Sequence, residues 1–273
     1  PIKDGSIGNS SGPVSFMELW NTMGKVVVQG GKRRSAIMSM MDIDHPDIRE
    51  FIHAKEHDGS LQYFNISTRL DDEFLNAVKY EKPYYLKSRL GKDVNLADGI
   101  KRNMKLTQIN ASELFDEICS CAHKNGEPGI IFGDKINKDN LLKHLPDWQI
   151  RATNPCAEQP LSAYTSCNLG SINLESFIDQ NESGNSFSDF DFICQIHRSI
   201  LYLDCVVDAN SYPLKKIEER TQDIRPLGLG FMGLANAAIK LKMGYGSNNF
   251  NQFCKYIGKL MAKHSMYASI DLC

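Results

Sequence analysis

Two hydrophobic periods alternate along this chain. In "SFMELWNTMGKVVVQGG", Phe16, Leu19, Trp20, Met23, Val26 and Val27 recur at helical spacing, with Gly30 as the stop. "SAIMSMMDI" is a nearly continuous apolar run and predicts a buried strand. "HPDIREFIHAK" predicts a short helix with Pro46 in its first turn, "LQYFNISTRL" a strand, and "DDEFLNAVKYE" a helix with Asp71 as N-cap. In "NASELFDEICSCAHKNGEP", Asn110 and Glu113 have capping-box spacing. The stripe there is Leu114, Phe115, Ile118 and Ala122, and Gly126 and Pro128 end it. "GIIFGD" predicts a short strand, and residues 150–174 read as extended. Helices follow at "DFICQIHRSILYLDCVVDA", "FMGLANAAIKLKM" and "NNFNQFCKYIGKLMAKHSMYASI". Residues 179–189, "DQNESGNSFSD", read as an exposed loop, and no linker, repeat or low-complexity tract divides the chain. Strands alternating with helices predict an α/β protein with a mostly parallel sheet.

Composition adds exclusions. The 273 residues are 42% hydrophobic and 23% charged, as in ordinary soluble domains. A net charge of −2 lacks the basic excess of a nucleic-acid surface. No apolar run approaches a membrane span, and the N-terminus has no signal pattern, so no membrane partner and a cytoplasmic location are expected. The first residue is Pro1, which reads as a processed or truncated start. Eight cysteines are too sparse for a disulfide scaffold, so free thiols are expected.

Three motifs carry little chemistry by themselves. "GLGFMG", Gly228 to Gly233, fits a dinucleotide fingerprint, but "TQDIRP" before it is no hydrophobic strand and no acid lies near position 250. Glycines that allow close helix–strand packing are the alternative. In "CSCAH", Cys119 and His123 lie one helical turn apart while Cys121 points elsewhere, and no second cluster completes a zinc site, so no metal is expected. "QGGKRRSA" sets Lys32, Arg33 and Arg34 beside two glycines, either a phosphate-meeting loop or a solvated turn.

"NPCAEQP" holds more. Pro155 and Pro160 bias Asn154 and Gln159 away from helix. In an extended segment, Asn154, Cys156 and Glu158 project to one side, grouping an amide, a thiol and a carboxylate. No histidine is near in sequence to make a thiolate nucleophile. A carboxylate beside a thiol favours its protonated form, which suits hydrogen-atom donation better than ionic attack. A proline-rich loop with an incidental cysteine remains the alternative.

"NPCAEQPL" followed by "SCNLGSINL" resembles the active-site stretch of ribonucleotide reductase large chains, with Cys167 eleven positions after Cys156. The resemblance extends to "SGPVSFMELW", "QGGKRRSAIMSMMDIDHPDIREFIHAK", "FNISTRLDDEF" and "RPLGLGFMGLA", nearly the whole chain in consistent order. It is nearest to the adenosylcobalamin-dependent class; metal-radical relatives more usually carry "NLC" and a longer gap before the second cysteine. That metal-radical class and a non-catalytic nucleotide-binding fragment are the alternatives.

The resemblance implies a ten-stranded α/β barrel whose central finger loop carries the radical cysteine. Cys156 would then abstract the 3′-hydrogen of a ribonucleotide, Glu158 would act as base, Asn154 would hold the ribose hydroxyls and Cys167 would be a reductant. Ser11, Gly12, Ser166 and Asn168 would lie at the substrate. Gln29, Gly30, Gly31, Lys32, Arg33 and Arg34 would form the loop that senses a nucleotide effector (dNTP or ATP). A dithiol donor such as thioredoxin, and a second copy or complementing chain segments, are the implied partners. The family's second reducing thiol, most of the effector pocket, the phosphate loop and the recycling cysteines have no counterpart in this sequence. Residues 1–273 are therefore read as an incomplete central barrel portion, inactive alone, with Cys273 a candidate junction of a split gene or intein.

Overall fold

The structure is a computed structural model and describes residues 11–27, 34–87, 106–182 and 184–273. The chain divides into two compact units, Pro1–Ala163 and Tyr164–Cys273.

The first unit is built on three parallel strands. In chain order its elements are α1 (Gly12–Val26), β1 (Ile37–Asp42), α2 (Ile48–His53), β2 (Phe64–Leu70), α3 (Asp72–Lys79), β3 (Pro83–Lys87), β4 (Leu106–Asn110), α4 (Ala111–Asn125), β5 (Gly129–Phe132), α5 (Gly133–Lys138), β6 (Ile150–Thr153) and β7 (Pro160–Ser162). The sheet order is β1-β2-β5, with Ile37 opposite Phe64 and Ser67 opposite Gly129. Five of the seven residues of β2 are buried, as expected of a central parallel strand covered on both faces. Phe51, Phe74, Ile48 and Leu114 are fully enclosed around it. Each such side chain contributes about 1.5–3 kcal/mol of transfer free energy.

The caps lie where the sequence puts them. Asp71 accepts the Phe74 amide at 2.6 Å and starts α3, while its other oxygen accepts the hydroxyl of buried Tyr84 at 2.9 Å. Burial and the Asp71 carboxylate together hold the Tyr84 phenol far above its ordinary pKa. Asn110 accepts the amides of Ser112 and Glu113 and starts α4, which ends on Gly126 in the left-handed conformation. Helix α1 differs from expectation in its buried face. Met17 and Gly24 face the protein, whereas Phe16, Leu19, Trp20 and Met23 are exposed. Gly24 fits because a Cβ there would stand 3.1 Å from Tyr63.

The second unit comprises β8 (Asn168–Asn173), a 3₁₀ turn (Leu174–Phe177), β9 (Ile178–Asn181), β10 (Gly184–Phe187), α6 (Asp189–Ala209), α7 (Lys215–Ile224), β11 (Leu227–Met232), α8 (Leu234–Lys240) and α9 (Asn248–Asp271). Strands β8 and β11 run parallel, Asn168 opposite Leu227 through Asn173 opposite Met232. Phe192 and Ile196 of α6 pack with Phe253 and Ile257 of α9, and edge-on aromatic contacts join Phe177, Phe187, Phe192 and Phe253. The stretch read as an exposed loop, 179–189, is largely the β9–β10 hairpin. Arg225 leaves α7 with left-handed backbone (φ 42°) and grips Asp204 and Asp208 of α6 with both arms of its guanidinium.

Among the described residues the strands form one three-stranded sheet and four two-stranded pairs. The α/β class is as expected, but the strands of the described residues do not close into a barrel, since closure requires every edge strand to pair with the next. No described helix is long and apolar enough to cross a membrane.

Candidate functional site

The motif "NPCAEQP" is not extended. It is the tight connection of the β6–β7 hairpin, in which Thr153 pairs with Pro160. The Ala157 amide donates to Asn154 O at 3.0 Å, so residues 154–157 are a β-turn with Pro155 second and Cys156 third. Proline fits the second position because its ring presets φ, and Ala157 follows with φ 66°. Two further bonds close the loop: Asn154 N donates to Gln159 O at 3.2 Å, and Gln159 N donates to Asn154 Oδ1 at 2.9 Å. Strand alternation therefore does not apply to Asn154, Cys156 and Glu158, of which the first two lie in the turn and the third just after it. Cys156 and Glu158 are exposed and Asn154 is half-buried. Asn154 spends its side-chain oxygen on the loop and keeps its Nδ2 group as a donor.

The hairpin is braced from α5. Asn137 Nδ2 donates to Ile150 O at 2.9 Å and Asn137 Oδ1 accepts Ile150 N at 2.9 Å, so one amide side chain imitates a neighbouring strand. Asn140 Nδ2 and Ser162 Oγ both donate to Trp148 O at 2.9 Å.

Cys167 belongs to the second unit, immediately before β8, and is partly buried. The preceding amide, Ser166 N, donates to Thr221 Oγ1 at 3.0 Å, and the two hydroxyls are 3.2 Å apart. The following side chain, Asn168 Nδ2, donates to Leu203 O at 2.9 Å, while its buried Oδ1 has no hydrogen-bond partner. Tyr164 has φ 61°, an uncommon conformation for a bulky residue, and Lys216 Nζ lies 4.0 Å from its ring centroid.

The remaining expectations divide. Ser11 and Gly12 stand at the start of α1, where Ser15 Oγ contacts Ser11 Oγ at 2.6 Å and Gly12 O at 2.9 Å. Arg34 is exposed and lines a cavity of about 370 Å³ with Lys55, His57 and Glu127. Gln29, Gly30, Gly31, Lys32 and Arg33 lie outside the described residues. Gly228 and Gly230 are inside β11, so "GLGFMG" does not form a phosphate loop, and Gly233 is the left-handed turn into α8. Cys121 is buried 3.5 Å from His53 Nδ1, its thiol pushed up by burial and Glu56. None of the eight cysteines is in a disulfide, and the described residues contain no metal-holding cluster.

Thr221 and Asn137 have no signature in the sequence. Each acts on backbone atoms far along the chain, 55 and 13 residues away. Only the polar run "KKIEERTQDI", from which one small hydroxyl residue is buried, hints at such a role in the first case.

A family model described as "Ribonucleotide reductase, barrel domain" matches residues 2–273. The chain is 41% identical over 243 residues to a vitamin B12-dependent ribonucleoside-diphosphate reductase of Thermoplasma acidophilum, covering 88% of this chain and 29% of that protein. A reductase of the same name from Mycobacterium tuberculosis is 39% identical over 243 residues, covering 88% and 32%. A vitamin B12-dependent ribonucleotide reductase of Streptomyces clavuligerus is 30% identical over 290 residues, covering 97% and 29%. The chain thus spans about a third of the length of these relatives. With the match running almost end to end, the chain belongs to the ribonucleotide reductase barrel-domain family.

Proposed function

We propose that this chain is the part of a ribonucleotide reductase in which the sugar is reduced, with Cys156 as the hydrogen-abstracting sulfur. The observation that carries this reading is an exposed, non-disulfide thiol at the third position of a tight turn, between an amide donor and an exposed carboxylate. The Cys156 sulfur, as a radical, takes the 3′-hydrogen of the ribose. Glu158 accepts the 3′-hydroxyl proton, which helps the 2′-hydroxyl leave as water. Asn154 donates Nδ2 to a ribose hydroxyl while its oxygen keeps the turn closed. Cys167 and a second thiol supply two electrons, and Cys156 returns the hydrogen. Overall, a ribonucleotide and two thiols give a 2′-deoxyribonucleotide, water and a disulfide, which a dithiol donor such as thioredoxin reduces again.

The names of the relatives extend the proposal to a cobalamin cofactor. Cys156 fits such a group because its thiol is accessible and not consumed by a disulfide. When bound, adenosylcobalamin supplies the one-electron chemistry that amino-acid side chains do not start alone. Ser11, Gly12, Ser166 and Asn168 are proposed at the substrate, with Ser166 already engaged by Thr221. Gln29 to Arg34 are proposed as the loop that responds to a nucleotide effector. The larger assembly, with two copies or complementing segments, acts in the cytoplasm.

The test is the full-length reductase carrying Cys156→Ser, assayed with ribonucleotide, adenosylcobalamin and a dithiol. Turnover is expected to vanish while nucleotide binding persists. Retained turnover, or a requirement for a separate radical-generating subunit in place of the cobalamin, overturns the corresponding part of the reading.

A further inference from the structure

We propose that Thr221 is a positioning residue for Cys167, fixing the backbone that presents this thiol to its reaction partners. The proposal rests on the reading of Cys167 as a reductant.

Thr221 is 1% exposed and is the buried residue of α7, a helix whose other side chains are mostly charged or polar. Burying a hydroxyl away from water is unfavourable unless it is hydrogen-bonded. Here Oγ1 accepts the Ser166 amide and lies within bonding distance of Ser166 Oγ. One residue beyond Cys167, Asn168 is tied to Leu203 O of α6. The residues on either side of the cysteine are therefore anchored to two different helices by side-chain hydrogen bonds. Helix α7 holds the approach to this point as well, through Lys216 over the ring of left-handed Tyr164. A helix that buries one hydroxyl and spends it on the amide before a cysteine serves as a strut for that cysteine.

The chemistry needs such a strut. Cys167 and a second thiol from elsewhere in the reductase each give up a hydrogen and join as a disulfide. One hydrogen replaces the substrate's 2′-hydroxyl, and the other leaves with that oxygen as water. Disulfide closure tolerates only a narrow range of Cα separations and side-chain directions. A thiol that must first face the sugar and then meet its partner depends on a backbone held in one place.

The experiment uses the full-length reductase with Thr221→Val, Thr221→Ser and Cys167→Ser. T221V keeps the shape of the side chain and removes the acceptor. Its kcat, and the rate of disulfide formation per turnover by thiol counting, are expected to fall about tenfold or more with KM within about twofold of wild type. T221S, which keeps the hydroxyl, is expected to restore at least about half of the wild-type kcat. T221V turning over like wild type, or T221S failing as badly as T221V, overturns the positioning role. If T221V is insoluble, T221S is compared with Thr221→Ala, and equal turnover in that pair overturns it equally. Normal turnover by C167S overturns the reading of Cys167 itself, a result distinguishable from failure of the strut alone.

Discussion

Asn154 Oδ1 accepts the Gln159 amide at 2.9 Å across the turn that carries Cys156. One end of this side chain is thus committed to the loop, and the other is available to a ligand. The two roles separate on substitution. Asn154→Asp keeps the acceptor and loses the Nδ2 donor. Its thermal stability is expected to stay near wild type, while KM for the ribonucleotide rises about tenfold, the value of one lost hydrogen bond to a ligand. Kinetics and a melting curve on the same sample decide this; an unchanged KM excludes Asn154 from substrate binding.

Asn137 bonds both the carbonyl and the amide of Ile150 with its own side-chain amide, in the manner of a strand neighbour. Asn137→Ala leaves an amide and a carbonyl of β6 to find water. Urea denaturation is expected to show a loss of about 1–3 kcal/mol. A variant as stable as wild type means that water replaces both bonds without cost.

Gly233 turns from β11 into α8 with φ 74°, and a Cβ there would stand 2.2 Å from Asn173 Oδ1. Gly233→Ala combines left-handed strain with that overlap and is expected to cost about 1–3 kcal/mol or more. The same denaturation assay tests this; a neutral substitution argues against the strained turn.

His264 of α9 lies against His197 of α6, ring centroids 5.8 Å apart, and beside Lys263 and Tyr267. Burial, then Lys263 and His197, lower its pKa below the ordinary 6.5. The folded state therefore disfavours the protonated ring, and the unfolded chain binds the proton first. Stability contributed by neutral His264 is complete above pH 6.5 and declines as pH falls from there towards the lower folded value. Melting temperatures measured from pH 7.5 down to pH 5 are expected to drop more steeply for wild type than for His264→Gln. Parallel curves remove His264 as the cause.

Local chemistry was legible in the sequence where one residue dictates one conformation. Asp71, Asn110 and Gly126 bound their helices as read, because capping depends on atoms three or four residues away. The stripes of α6 and α9 are legible in part: Ile196, Ile200, Leu203 and Val207 are buried, as are Phe250, Phe253 and Ile257, but Phe192, Met261 and Ala268 take the buried places that periodicity gives to Ile193, Leu260 and His264. The bend at Cys156 is not legible. Two prolines exclude helix, but they do not choose between strand and turn; the Asn154–Gln159 bonds make that choice. Helix α7 is not legible because "KKIEERTQDI" has no continuous apolar stripe, and its buried contact is a threonine hydroxyl on a distant amide. The candidate residues of the motif were visible as chemistry, whereas the side chains that brace them were visible only as geometry.

Strand β11 has left-handed residues just beyond both ends, Arg225 locked to two aspartates and Gly233 pressed against Asn173. Both ends are therefore pinned, and the six residues between them have no slack. Side chains along this strand can be exchanged, but its length is fixed. An added or deleted residue would have to break one of the pins or slide every partner of β8 to the opposite face, including the stretch that begins beside Cys167.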